Sequence, residues 1–246
     1  RDQVQSLKEM WTGRTPAGIP MVPDELTEAA FYGREDVAAL LDEGKVPLGL
    51  DLETVEPVTW ELKKGNLLYL TDKEEQMIQF VKQIAHSKQK VIVLAPAYNE
   101  LPEMEGVTIL STKEDYVAGI KKMEENIQLR LEQQKSQHEA TIVLYNQLEL
   151  MNDLSMDLQS SLNYVLEKGA RAGYATVAMS GSQLNRKIDE VSKSIKLYKQ
   201  AIVAMRITDQ SVLNVINRPV REEPLDSQVN YYVEDGFVRK VKVLMK

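Results

Sequence analysis

From residue 65 onward, short apolar runs alternate with stretches in which apolar residues recur every three or four positions. The runs are NLLYLT (66–71), KVIVLAP (90–96), GVTIL (106–110), ATIVLYN (140–146), YATVAM (174–179) and AIVAMRI (201–207). Runs of this length, bounded by turn residues, predict buried strands. Between them, periodicity predicts a helix over Lys73–His86 and a long one over Thr112–Gln137. Ser111 with Glu114 forms a capping pair at its start, and Val117, Ile120, Met123, Ile127 and Leu131 mark its apolar stripe. At 1.5 Å per residue that helix would be about 39 Å long, more than the sheet beneath it needs, so its distal end is expected to stand proud. Met151, Leu154, Leu158, Leu162 and Val165 predict a further helix ended by Gly169, and Gln183–Tyr198 another. Strand and helix in alternation specify an α/β fold with a mostly parallel sheet and flanking helices.

The two ends read differently. Residues 1–23 combine the helical stretch DQVQSLKEMW with TGRTPAGIPMVP, where Pro16, Pro20 and Pro23 prevent regular structure, so this segment is read as a linker and 24–246 as one domain. A short helix near Arg34–Asp42 precedes two strand-like pieces, Val46–Asp51 and Pro57–Leu62, suited to covering a sheet edge. After a loop with Pro219 and Pro224, the alternating runs VNYYV and FVRKVKVLM flank Glu234-Asp235-Gly236 and predict a C-terminal β-hairpin.

Composition narrows the chemistry. With 246 residues the chain can bury a large core, and 30 basic against 37 acidic residues leave a net charge of −7 that repels polyanions, so no nucleic-acid partner is expected. The absence of cysteine removes disulfides, thiolate metal sites and cysteine nucleophiles together. No apolar run approaches the roughly 20 residues that span a bilayer. The chain opens at Arg1 without a signal pattern, and it is read as a piece of a longer polypeptide whose membrane connection lies elsewhere.

Isolated candidates are few. His86 and His138 stand at predicted helix ends without metal-ligand spacing, so no metal is expected. No GxSxG elbow is present. Lys193, Lys196 and Lys199 form a modest basic stripe, read as a solvated helix face, and EEPLD (222–226) reads as a solvated loop. Met104, Met123, Met151, Met156 and Met179 offer adaptable apolar surface of the kind that lines peptide grooves, with core filling as their ordinary role.

The order of the pieces carries a resemblance. PLGLDLETVEPVTWEL, GNLLYLTDKEEQMIQFVKQIA, ATIVLYNQLELM, EKGARAGYATVAMS and AIVAMRITDQSVL follow one another over residues 20–246 as the corresponding segments do in the FtsK/SpoIIIE family of RecA-like motor ATPases. The chain most resembles the third, C-terminal ATPase domain of type VII secretion ATPases, which implies a RecA-like P-loop NTPase fold.

At the matching positions the family's chemistry is missing. A phosphate-binding loop needs glycines to wrap phosphates with backbone N–H groups, a lysine for the β and γ oxygens and a hydroxyl for magnesium. At the Walker A position stand Thr71, Asp72, Lys73, Glu74, Glu75, Gln76, Met77 and Ile78, with no glycine between Gly65 and Gly106. Asp72, Glu74 and Glu75 bring negative charge to a helix start, where phosphate would sit. Lys73 is the one cation there, its ordinary reading being a solvated first-turn lysine. At the Walker B position Asn146 and Gln147 replace the carboxylates that hold magnesium and polarise water. Ser180-Gly181 replaces the family's Thr-Gln sensor and Ala175 its histidine. Arg171 matches the family arginine, read as pinning a helix end to the sheet or as facing nucleotide, while Gly169 and Gly173 supply turns before the next strand.

The resemblance therefore implies a degenerate site with no catalytic residues and no ATP or magnesium cofactor, in a domain that serves substrate recognition or regulation of protein export. Its implied partners are the preceding ATPase domains, the C-terminal tail of helical-hairpin (WXG100-type) substrates, and copies of itself in a homo-hexamer of the full-length protein. Its implied setting is the cytoplasmic part of a membrane-anchored bacterial secretion protein. Two alternatives stay open: weak ATP binding or slow hydrolysis through Lys73 or Arg171, and a structural role in the stack of ATPase domains.

Overall fold

The computed structural model describes residues 21–244, so most of the expected linker lies outside the described residues. The strands are β1 (Val46–Asp51), β2 (Pro57–Trp60), β3 (Leu67–Leu70), β4 (Val91–Leu94), β5 (Val107–Leu110), β6 (Ala140–Leu144), β7 (Tyr174–Ser180), β8 (Gln200–Val203), β9 (Val229–Glu234) and β10 (Phe237–Lys242). They form one ten-stranded sheet in the order β2-β1-β10-β9-β8-β3-β7-β6-β4-β5. The six strands from β8 to β5 are parallel, and β3 sits between β7 and β8 with Leu67 opposite Val177 and Gln200. The terminal hairpin β9–β10 continues the sheet from β8, its turn at Asp235-Gly236. Strands β1 and β2 extend the sheet antiparallel beyond β10, where the sequence suggests a cover for its edge.

Alternation along β3 explains the two cores. Leu68 and Leu70 join Leu94, Ile142 and Leu144 on one face, under α4 (Lys113–Glu132), α6 (Met156–Lys168) and α7 (Glu190–Lys196). Leu67 and Tyr69 join Val91, Val93 and Val143 on the other, where α3 (Glu74–His86) buries Met77, Phe80, Val81 and Ile84. A third cluster of Leu26, Phe31, Val37, Leu50 and Leu244 packs α1 (Glu28–Tyr32) and α2 (Glu35–Asp42) against the sheet's antiparallel end.

Several helix expectations are corrected. The capping box that starts α4 is one residue later than expected: Thr112 accepts from the Asp115 N–H and Asp115 answers to the Thr112 N–H. Tyr116 is buried and Val117 is 44% exposed, which rotates the stripe accordingly. The helix stops at Glu132, not Gln137, and its end does not stand proud. Arg130 ties it down, donating to the carbonyls of Ala172 (2.6 Å) and Gln137 (2.5 Å) and pairing with Glu139 at 2.8 Å.

The helix expected after β6 is two, α5 (Gln147–Asp153) and α6, because Leu154 is extended and the Ser155 hydroxyl caps the Leu158 N–H. Residues 182–198 likewise split into a 3-10 turn, Ser182–Arg186, and α7, whose N-cap Asp189 accepts from the Ser192 N–H at 2.8 Å. Gly173 makes the turn before β7 at φ 85°, whereas Gly169 keeps helical angles and is small because the Tyr174 Cβ lies against it.

Candidate functional site

The carboxyl ends of the parallel strands bring together the segments after β3, β6, β7 and β8, the place where open α/β sheets hold ligands. Thr71 leaves β3 fully buried, its N–H bonded to the Ser180 carbonyl at 3.0 Å. Its hydroxyl accepts from the Lys73 N–H at 3.1 Å and donates to Gln76 Oε1 at 2.5 Å, closing the first turn of α3 from within. Asp72 reaches the turn that follows β7, where its Oδ1 accepts from the Ser182 N–H at 2.8 Å. A Cβ at Gly181 would stand 2.6 Å from that oxygen, so only glycine admits this approach. Glu74 faces β6 and accepts from the Tyr145 hydroxyl at 2.9 Å. Burial, then the hydrogen bond to Glu74, push the Tyr145 phenol well above its usual range, so it stays protonated as a donor.

The remaining loop positions divide between core and solvent. Met77 enters the core beside Phe80 and Ile84, and Ile78 packs half-buried against the same cluster. Glu75 and Lys73 are exposed.

At the end of β6, Asn146 adopts left-handed angles (φ 44°, ψ 59°), a conformation asparagine tolerates, and begins α5 without capping it. Gln147 is wholly buried. Its Nε2 donates to Ser192 Oγ at 3.0 Å and its Oε1 accepts from the Ser180 hydroxyl at 3.0 Å. A primary amide suits a position that must both donate and accept. The structure thus links Gln76, Thr71 and Gln147 through Ser180, and beside that run the exposed carboxylates of Asp72 and Glu74 make their own bonds to Ser182 and Tyr145; together these contacts form a seal. Tyr145, Ser182 and Ser192 complete it. Sequence reasoning does not select these three, because their partners lie far along the chain and no local spacing marks them.

Other predicted residues lie outside the seal. Arg171 is exposed in the 3-10 turn Gly169–Ala172, while Arg130 of α4 donates to the Ala172 carbonyl beside it. His86 is exposed and stacks on Tyr32 with ring centroids 3.7 Å apart, and His138 is exposed. No cluster of three metal-ligating side chains occurs among the described residues. Lys193 pairs with Glu190 at 2.8 Å, Lys196 donates to the Asn185 and Lys187 carbonyls, and Lys199 lies 4.0 Å from Asp235. Met123 and Met179 are core residues and Met104 and Met151 half-buried, while Met156 is 82% exposed.

Two open spaces flank these elements. A cleft of about 200 Å³ beside α3 is lined by Tyr69, Lys73, Gln76, Phe80 and Asn230. Lys73, Gln76 and Asn230 also line an adjoining space of about 470 Å³ under Met205 and Leu225. On the opposite face a groove of about 650 Å³ runs between α4 and strands β4 and β5, the last two on that side of the sheet, over Ile92, Leu110, Ala118, Met123, Leu129 and Tyr174.

No family model matches the chain. It is 25% identical over 254 residues to type VII secretion system protein EssC of Staphylococcus aureus (strain MRSA252), covering 99% of this chain and 17% of that protein. It is 25% identical over 279 residues to ESX secretion system protein YukB of Bacillus subtilis (strain 168), covering 99% and 18%. The chain is a homologue of these EssC/YukB secretion proteins. It spans about a sixth of their length. Among solved structures it is similar to EssC (ATPases 2 and 3) from Geobacillus thermodenitrificans, with a TM-score of 0.83 at 19% identity, covering 99% of this chain and 49% of that one. It is also similar to Thermomonospora curvata EccC (ATPases 2 and 3) in complex with a signal sequence peptide, with a TM-score of 0.68 at 16% identity, covering 100% and 47%. The fold is that of the EssC and EccC ATPase domains, the RecA-like P-loop fold. Among the described residues no helix is long and apolar enough to cross a membrane.

Proposed function

We propose that this domain is a non-hydrolysing ATPase-fold module of a type VII secretion motor that recognises the C-terminal tail of helical-hairpin substrates. The observation that carries the reading is the Asp72 carboxylate on the Ser182 amide, the chain's own anion at the end of β3, where this reading would place a nucleotide phosphate. The residues present do not fit magnesium nucleotide. Met77 is committed to the core at the lysine position, and Gln147 is buried between two serines where a magnesium-holding carboxylate would stand. Closing the site with side chains keeps the sheet's carboxyl edge ordered without ligand, which suits a fold retained for docking.

The groove along α4 is the surface we assign to the tail. Its floor is apolar, its rim carries Lys90, Lys122 and Glu125, and Leu129 stands half exposed at its side. Apolar anchors spaced i, i+3 and i+4 on a helical tail match a floor of this kind. The signal peptide bound by the similar EccC structure supports a peptide ligand. The homologues' greater length supports tandem ATPase domains as neighbours in the same chain, and the membrane anchor belongs in this reading to segments outside this one.

The test is a titration with a fluorescent peptide copied from a cognate substrate tail, with a scrambled control, with and without Mg-ATP. Saturable, sequence-dependent binding indifferent to ATP is expected, weakened at least about tenfold by Leu129→Glu. Binding that needs ATP, or none with any tail, overturns the reading.

A further inference from the structure

Between β8 and β9 the chain runs from residue 210 to 228 without a regular element. Its two ends are anchored. Asn217 acts as a piece of strand, donating to the Val238 carbonyl at 3.0 Å and accepting from the Val238 N–H at 2.7 Å. Asp226 accepts from the N–H groups of Gln228 (2.8 Å) and Val229 (3.0 Å). In the stretch 218–225 between these anchors, the hydrogen bonds among the described residues converge on one side chain. The Glu222 carboxylate accepts from the Ile207 N–H (2.5 Å), the Thr208 N–H (2.9 Å) and the Thr208 hydroxyl (2.9 Å), all at the turn that follows β8. The Tyr231 hydroxyl on β9 reaches it too. Leu225 adds one apolar contact with the core, while Arg218, Val220, Arg221 and Pro224 are exposed.

The position of this stretch gives the latch its meaning. Pro224 and Leu225 roof the 470 Å³ space whose other walls include Lys73, Met205, Arg206 and Asn230, and that space opens into the cleft beside the first turn of α3. Burial alone would raise the Glu222 carboxyl, but the hydrogen bonds from Thr208 and Ile207 outweigh it and hold the group below its usual range, so the latch stays charged at neutral pH.

We propose that residues 218–225 form a strap that opens as a unit over the cleft at the start of α3, with Glu222 as its single polar latch. A segment of few buried contacts, fastened at one point between two firm anchors, opens locally at far less cost than the sheet it covers. Opening uncovers Met205 and Asn230 while β8 and β9 stay paired. This device is independent of whether α4 receives a peptide.

The chain has no cysteine, so spin labels can be placed at Val220→Cys on the strap and Lys121→Cys on α4 and read by pulsed electron resonance. With Glu222 present a single distance population is expected. With Glu222→Ala a second population appears, and the Ile207 and Thr208 amides exchange hydrogen about tenfold faster or more, while amides of β3 and β7 are unchanged. Glu222→Gln and Thr208→Val, which remove fewer bonds, produce smaller changes in the same two readouts and serve if the alanine variant does not fold. An unchanged distance distribution overturns the proposal. So does exchange that rises equally across the sheet, since the contact would then belong to global stability.

Discussion

Gln147 shows at single-residue scale why a charge is costly at this position. Its amide donates to Ser192 and accepts from Ser180 in a place with no access to water. Gln147→Ala strands two buried hydroxyls and is expected to lower stability by about 1–3 kcal/mol. Gln147→Glu buries a carboxylate that keeps only acceptors, and it is expected to cost roughly 3 kcal/mol or more without creating phosphate release from ATP. Urea melts with unchanged slope, alongside a phosphate-release assay, check both. Melting as the parent does would remove Gln147 from the seal. Asp72 belongs to the same scale, because its carboxylate accepts from an amide that Gly181 leaves accessible.

Elements depend on ends that long-range partners fasten. Arg130 joins the last turn of α4 to the approach to β7, with its side chain 12% exposed and three polar partners. Arg130→Met keeps the packing stem and removes the charged donor shared by Ala172, Gln137 and Glu139, of which Glu139 keeps Lys90, so a loss of about 1–3 kcal/mol is expected, with faster amide exchange confined to residues 128–139 and 170–174. Asp189 caps α7, the helix that carries Ser192 into the seal. Asp189→Ala is expected to cost about 1 kcal/mol, read as a lower urea midpoint. Because the cap positions Ser192, that variant and Gln147→Ala should be less than additive in the double mutant.

The whole molecule is held by one sheet with both faces covered, and its response to ligand and to alkali follows from that. A nucleotide bound to the folded state at a hundred times its Kd would add about 2.7 kcal/mol. The seal predicts instead that millimolar Mg-ATP leaves Tm unchanged, and a rise of several degrees by calorimetry would contradict it. Burial raises the phenols of Tyr116 and Tyr231 to about 12, with acidic neighbours adding to the effect. It takes Tyr69, Tyr145 and Tyr232 further in the same direction. Above pH of about 10 the unfolded chain releases phenolic protons that the folded chain retains, so the unfolded state binds fewer protons and stability falls as pH rises. Stability is therefore expected to be intact below about pH 10 and lost toward pH 12, with tyrosinate absorbance and loss of circular dichroism rising together.

Local pattern by itself determined the α/β class, the six apolar runs of the mostly parallel sheet and the terminal hairpin, because each rests on neighbours within a few residues. It misjudged boundaries wherever a cap competed with periodicity: Ser155 and Asp189 restart helices that apolar spacing runs through, and Gln134, left-handed at φ 53°, ends α4 early. Only the tertiary structure decided that β1 and β2 lengthen the sheet, that Arg130 pins the end of α4, and that Asp72, Glu74 and Gln147 bond to Ser182, Tyr145, Ser180 and Ser192. Those partners lie between 33 and 110 residues apart in sequence, and a hydrogen bond across such a distance leaves no periodic trace in the chain.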